Sequence, residues 1–165
     1  MKRPRVLSER QGRWLLNLFP PLFFQRIRVV EFAQGYRSCR VRIRRSLLTR
    51  NLNGSLFGGT IFSAADPIYA VMYWQIFARL GERVQAWFKS ASIRYVKPAA
   101  SDLTLEFLLP DREVDQARAA LDRDGRFARA YRTEAVDRDG EVCAVIDTEV
   151  YLRRPREGQK ETSAF

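Results

Sequence analysis

Between Asn51 and Ala78 the chain carries one charged side chain, Asp66, although 29% of its 165 residues are charged. At that average the 28 positions would hold about eight charges, so the segment is expected to form a helix buried away from water. A lone carboxylate in such a place costs on the order of several kcal/mol unless something uses it. Asp66 also precedes Pro67, which lacks the N–H that would bond the Ser63 carbonyl and disfavours helical torsions at Asp66 itself. A kink is predicted there, and Asp66 becomes the first candidate for chemistry. Thr60 to Ala78 approaches membrane-spanning length. Ser63, Asp66, Pro67 and Gln75 within it, and β-patterned segments on both sides, point instead to a helix enclosed by protein.

The flanking segments supply the enclosure. Arg26 to Ala33 and Tyr36 to Arg45 read as strands hinged at Gly35. In the second, Cys39, Val41 and Ile43 face one way and Ser38, Arg40, Arg42 and Arg44 the other. A loop from Ser46 to Phe57 leads to Gly58-Gly59 and the helix, which is expected to end near Gly81. Val84 to Val96 and Asp102 to Leu109 read as further strands. Asp111 to Leu121 reads as a surface helix with acids in its first turn and an apolar stripe of Val114, Ala117 and Leu121. Phe127 to Val136 and Val142 to Leu152 form a last hairpin across Asp137-Arg138-Asp139-Gly140. The fold class is α+β: five or six antiparallel strands curved around one long central helix. The expected organisation is an N-terminal extension over 1–25 with a short apolar helix through Trp14, Leu15, Leu18 and Phe19, one domain over 26–153, and a polar tail over 154–165. The extension would cap the core or a subunit interface.

Residues that are missing narrow the chemistry. The chain has no histidine, which removes Ser-His-Asp and Cys-His catalysis and ordinary zinc hydrolase sites. A general base must be a carboxylate, Lys, Tyr or a perturbed Cys. Cys39 and Cys143 lie far apart in sequence and fit reduced core thiols of a cytoplasmic protein. The net charge is +10, and from Phe32 to Ala65 there are six arginines and no acid. Such a field favours an anionic partner, whether nucleic acid, membrane surface or phosphorylated small molecule, unless it is simply a solvated face. The basic Met1–Arg13 and apolar Trp14–Phe24 superficially resemble a secretory signal. Pro20-Pro21 breaks the apolar run and no small-residue cleavage site follows, so a cytoplasmic location is expected.

Asn51-Leu52-Asn53-Gly54-Ser55-Leu56-Phe57-Gly58-Gly59, continuing through Thr60-Ile61-Phe62-Ser63-Ala64-Ala65-Asp66, resembles the signature of hotdog-fold acyl-CoA thioesterases of the phenylacetate-pathway type. In that family an Asn precedes His-Gly-Gly, and a catalytic Asp or Glu stands eight residues after the first glycine, as Asp66 stands after Gly58. Ser90-Ala91-Ser92-Ile93-Arg94-Tyr95-Val96-Lys97-Pro98 is similar to the family's strand with an aromatic residue and a basic-Pro pair. The Phe-Gly-Gly and Asp-Pro variant looks like a largely uncharacterised bacterial branch. The resemblance implies a hotdog fold and hydrolysis of a thioester, with Asp66 as nucleophile or general base. Backbone N–H groups near Gly58 and Gly59 would hold the oxyanion, and Asn51 would orient the water or carbonyl. Phe57 and Phe62 with Tyr69 would receive an apolar acyl chain, beside Ser90 and Ser92. Lys89, Arg94, Lys97 and the Arg40-Arg42-Arg44 stripe would meet nucleotide phosphates or an acidic carrier. No metal or cofactor is expected beyond coenzyme A within the substrate. Phe57 replaces the usual His, and Ala70 stands where some relatives carry a hydroxyl, which puts efficiency in question.

One length bears on assembly. Eight residues along a helix separate Gly58 from Asp66 by about 12 Å, so both cannot reach one carbonyl. Glycine donors from one chain and Asp66 from its neighbour would form the site, in a dimer or dimer of dimers. Three functions compete: an acyl-CoA or acyl-carrier-protein thioesterase, a non-catalytic acyl-CoA or lipid binder that kept the fold, and a nucleic-acid binder. The last rests on charge alone and is disfavoured.

Overall fold

The computed structural model describes residues 4–155. The antiparallel strands β1 (Ile27–Phe32), β2 (Ser38–Ile43), β3 (Gln85–Tyr95), β4 (Leu103–Leu108), β5 (Arg126–Val136) and β6 (Val142–Arg153) form one sheet. Its order is β1-β2-β4-β5-β6-β3, so β1 and β3 are the edges. The sheet wraps a central helical axis made of α3 (Gly58–Ala65) and α4 (Ile68–Arg79), the hotdog arrangement expected from the sequence. Period-2 patterning selects the wrapped face. Cys39, Val41 and Ile43 are buried while Arg40, Arg42 and Arg44 are exposed, as predicted. The core closes between these strands and Ile61, Ile68, Met72, Tyr73, Ile76 and Phe77 of the axis.

The axis breaks at Asp66 and Pro67. The torsions of Asp66 (φ −54°, ψ −54°) remain helical, so the interruption comes from the missing N–H of Pro67 and not from an extended Asp66. Helix α5 (Asp111–Asp124) buries Val114, Ala117 and Leu121, and Gly125 caps it at φ 69°. The hairpin turn forms over 137–140, where the Asp137 carboxylate accepts from the amides of Asp139 and Glu141 at 3.0 and 2.9 Å. Cys39 and Cys143 are buried and unbonded to each other.

The N-terminal segment departs from expectation. Helix α1 (Glu9–Leu18) starts earlier than predicted because Ser8 and Gln11 form a reciprocal cap. Its core-facing residues are Gly12 and Leu16, whereas Trp14 and Leu18 stand 52% and 63% exposed. The register is set by Tyr36, whose hydroxyl lies on Gly12 and donates to the Ser8 carbonyl at 2.9 Å. Pro20 does not end helical structure but opens a second helix, α2 (Pro20–Phe24), at the position where its missing N–H costs nothing. Leu16 and Leu22 join the same core as the sheet. The polar tail expected over 154–165 lies outside the described residues from 156 onward.

Candidate active site

The loop before α3 fixes the helix N-terminus. Thr49, 1% exposed, donates its hydroxyl to the Arg44 carbonyl at 2.9 Å, and its own carbonyl accepts the Phe57 amide at 2.8 Å. The Asn51 carboxamide oxygen accepts the amides of Asn53 and Ser55, and its nitrogen donates to the Ser55 hydroxyl at 2.8 Å. Asn51 thus knits the turn over 51–55, and its acceptor is already occupied by two donors.

Phe57 occupies the N-cap with no side-chain acceptor for the helix. Thr60 and Ile61 donate their amides to the Phe57 carbonyl, at 3.0 and 3.3 Å. Among the described residues, the amides of Gly58 and Gly59 take no acceptor. Two unpartnered N–H groups at the positive end of a helix form a donor pair for a developing oxyanion. Both glycines sit close against aromatic side chains. A Cβ on Gly58 would stand 2.5 Å from the Tyr95 hydroxyl, and one on Gly59 would stand 2.5 Å from the Phe57 ring. Tyr95, in the matched strand but not singled out, therefore belongs to this end of the site. Its contact with Gly58 joins two segments that periodicity alone cannot pair.

Asp66 lies at the other end of α3. It is exposed in the single chain, which corrects the expectation of deep burial: its neighbours Ala64, Ala65 and Ile68 are buried, but the break leaves Asp66 at the surface. Desolvation by the surrounding protein nevertheless raises its carboxyl above the ordinary carboxylate value. Among the described residues it has no hydrogen-bond or ion-pair partner. A carboxylate with no cation beside it and an upward shift has the character of a general base.

The other candidates divide. Phe57 is 55% exposed beside the glycines, and Phe62 is half-buried against the core. Tyr69 belongs to the core: it is 3% exposed, stacks on Tyr131 at 4.2 Å and meets Phe107 edge-on at 5.3 Å, so it lines no surface of this chain. On β3, Lys89 and the Ser90 hydroxyl both engage Glu149, at 3.2 and 2.9 Å. Ser92 and Arg94 are exposed. Lys97 is held by Asp137 at 2.8 Å and by Glu141, and these partners raise its pKa, while the Lys97 ammonium in turn holds Asp137 down at about 2. Gly58, Gly59 and Asp66 line neither of the two clefts described on the chain.

Similarity to known proteins follows the fold. A family model described as a domain of unknown function (DUF4442) matches residues 9–152. No curated protein matches the chain in sequence. Among solved structures, a protein of unknown function and probable thioesterase from Pseudomonas aeruginosa, PA5026, superposes with TM-score 0.82 at 20% identity, covering 92% of this chain and 99% of that one. The thioesterase HI1161 of Haemophilus influenzae gives 0.68 at 12% identity, covering 97% and 100%. PaaI of Escherichia coli, from the phenylacetic acid degradation operon, gives 0.57 at 15%, covering 89% and 92%. At these identities the likeness establishes the hotdog fold.

Proposed function

This chain belongs to the DUF4442 family, and from its hotdog fold and the site's geometry we propose that it is a thioester hydrolase acting on acyl-CoA or an acyl-carrier-protein thioester in the cytoplasm. The observation that carries this reading is the division of reactive groups between the two ends of α3. Unpartnered glycine amides stand at one end and an unpartnered, pKa-raised carboxylate at the other.

The two ends serve one carbonyl only if two chains meet. Strand β3 is placed for that meeting. Among the described residues it pairs with β6 alone, most of its residues are exposed, and beyond a bulge at Lys89 the run Ser90–Tyr95 keeps unbroken register. Its open edge offers backbone N–H and C=O groups to the same strand of a second chain, with exposed Tyr95 and Val96 alongside. Pairing there would bring Gly58, Gly59 and Tyr95 of one protomer toward Asp66 of its partner.

In the reaction, Asp66 removes a proton from water as its oxygen attacks the thioester carbon. The Gly58 and Gly59 amides hold the oxyanion, and collapse expels the thiolate, which regains a proton. Direct attack by Asp66 would give a mixed anhydride that water then opens. The named functions of PA5026 and HI1161 agree with this class of reaction. The test is thiol release from short, medium, long-chain and aryl acyl-CoAs by wild type and Asp66→Asn. Loss of about a hundredfold or more in the variant supports the assignment. Activity surviving in the variant refutes it. Binding of acyl-CoA without turnover in the wild type replaces it with the acyl-binding alternative.

A further inference from the structure

The arginine stripe and the exposed N-terminal aromatics meet at one place. Helices α1 and α2 and the outer face of β1–β2 enclose a cleft of about 670 Å³. Arg13, Arg26, Arg28, Arg42 and Arg44 line it, with Trp14, Leu18 and Phe23 beside them. Arg28 stands opposite Arg42 in the β1–β2 register, and past the Ile27–Ile43 pair, just beyond the strand ends, the Arg44 amide donates to the Arg26 carbonyl at 3.1 Å. Like charges facing each other across strands destabilise a sheet, and here they recur on either side of the Ile27–Ile43 pair. The one acid among the cleft's lining residues, Asp102, is committed to Arg42 at 2.8 Å and to the Arg45 amide at 2.9 Å. Among the described residues, Arg26, Arg28 and Arg44 have no acidic partner. Arg26 also holds a left-handed backbone, φ 56°, a strained state that surrounding structure must impose.

The helices above this cluster face water with the wrong side chains. Trp14, Leu18, Phe23 and Phe24 are 52%, 63%, 51% and 70% exposed, and the two phenylalanine rings pack edge-on at 5.4 Å. We propose that this face docks on an anionic phospholipid bilayer, with the four apolar side chains seated at the headgroup boundary and the guanidiniums on lipid phosphates. Charge complementarity and amphipathic arrangement both fit that occupant. A second copy presenting the same patch would set arginines against arginines. A nucleic acid would satisfy the charge and leave the apolar side chains in water. The surface is separate from the candidate active site and does not depend on thioester chemistry.

The test is co-sedimentation of the full chain with vesicles of phosphatidylcholine, with and without about one-third phosphatidylglycerol. Binding is expected only to the anionic vesicles and only at low salt. Arg28→Gln with Arg44→Gln should weaken partitioning about thirtyfold. Trp14→Gln with Phe23→Gln and Phe24→Gln should abolish it by a different route. All five positions are exposed, and thermal unfolding checks that each variant is folded. Binding retained by both folded variants would overturn the proposal. So would equal binding to uncharged vesicles, saturation by monomeric short-chain phosphatidylglycerol in place of a bilayer, or tighter binding to RNA.

Discussion

Gly12→Ala tests how α1 is seated. A Cβ at Gly12 would approach Cζ of Tyr36 to 3.0 Å and Cε1 to 3.1 Å, and the hydroxyl oxygen more closely still. Tyr36 has nowhere to go. It is fully buried, donates to the Ser8 carbonyl at 2.9 Å, packs on Phe32 at 4.7 Å and lies 4.9 Å beneath the Arg79 guanidinium. Overpacking of this kind costs about 1–3 kcal/mol. Alanine recovers about 0.5–1 kcal/mol of helix propensity over glycine. The net expectation is a loss of about 1–2 kcal/mol, read in urea unfolding as a lower midpoint at constant slope. Tyr36→Phe alone should cost about 1 kcal/mol, because the Ser8 carbonyl loses one of its two donors and keeps only the Gly12 amide at 2.9 Å. Combined, the two should cost about 1 kcal/mol less than their sum, since removing the hydroxyl clears the closest overlap. A Gly12→Ala protein as stable as wild type, or additive behaviour in the double variant, would refute the account of α1 docking.

Asp66→Asn carries a second expectation, in stability. The raised carboxyl pKa means that the folded chain holds this proton more tightly than the unfolded chain does, so the favourable contribution is present below the ordinary value of 3.8 and is lost as pH rises through the raised value. At pH near 7 the variant should therefore melt no earlier than wild type, and acidification below 3.8 should erase any difference; a variant melting lower at neutral pH would show a hidden partner for the carboxylate. Thiol release should fall with acidification around that raised pKa, the base being active only when ionised. Glu113 is 5% exposed, accepts a hydrogen bond from Arg129 at Oε1 and ion-pairs with it at Oε2, each at 2.7 Å, so Glu113→Gln should cost about 2 kcal/mol, visible as a drop of about 4–8 °C in Tm. On the proposed two-chain site, Val96→Asp, introducing charge beside the open edge of β3, should lower the mass seen in light scattering to that of a monomer and remove turnover; an active monomer would end that proposal.

Most of the sheet was legible because its residues state their own period. Cys39, Val41 and Ile43 against Arg40, Arg42 and Arg44 fix both a strand and its inner face, and Asp137 to Gly140 fixes a turn. The break at Pro67 was legible from a single missing donor. Other features depend on distant segments. The seating of α1 on Gly12 and Leu16, in place of Trp14 and Leu18, is decided by Tyr36 in another part of the chain. Tyr69 reads as an apolar candidate for substrate contact and turns out to be spent on Tyr131 and Phe107. Asp66 follows the same rule: a segment poor in charge predicts burial on average, while the position of one side chain depends on how the backbone tilts at the break.

The unpaired edge of β3 also shapes what happens before any partner is met. A folded protomer displays an open strand of 11 residues, interrupted only by the bulge at Lys89. Such an edge adds strands indiscriminately, including strands of unfolded or foreign chains. Under the proposed pairing of two chains, time spent alone is then the hazard. Dilution or slow synthesis should yield precipitate in preference to clean monomer, and proteins made close together on one message should escape it by meeting early.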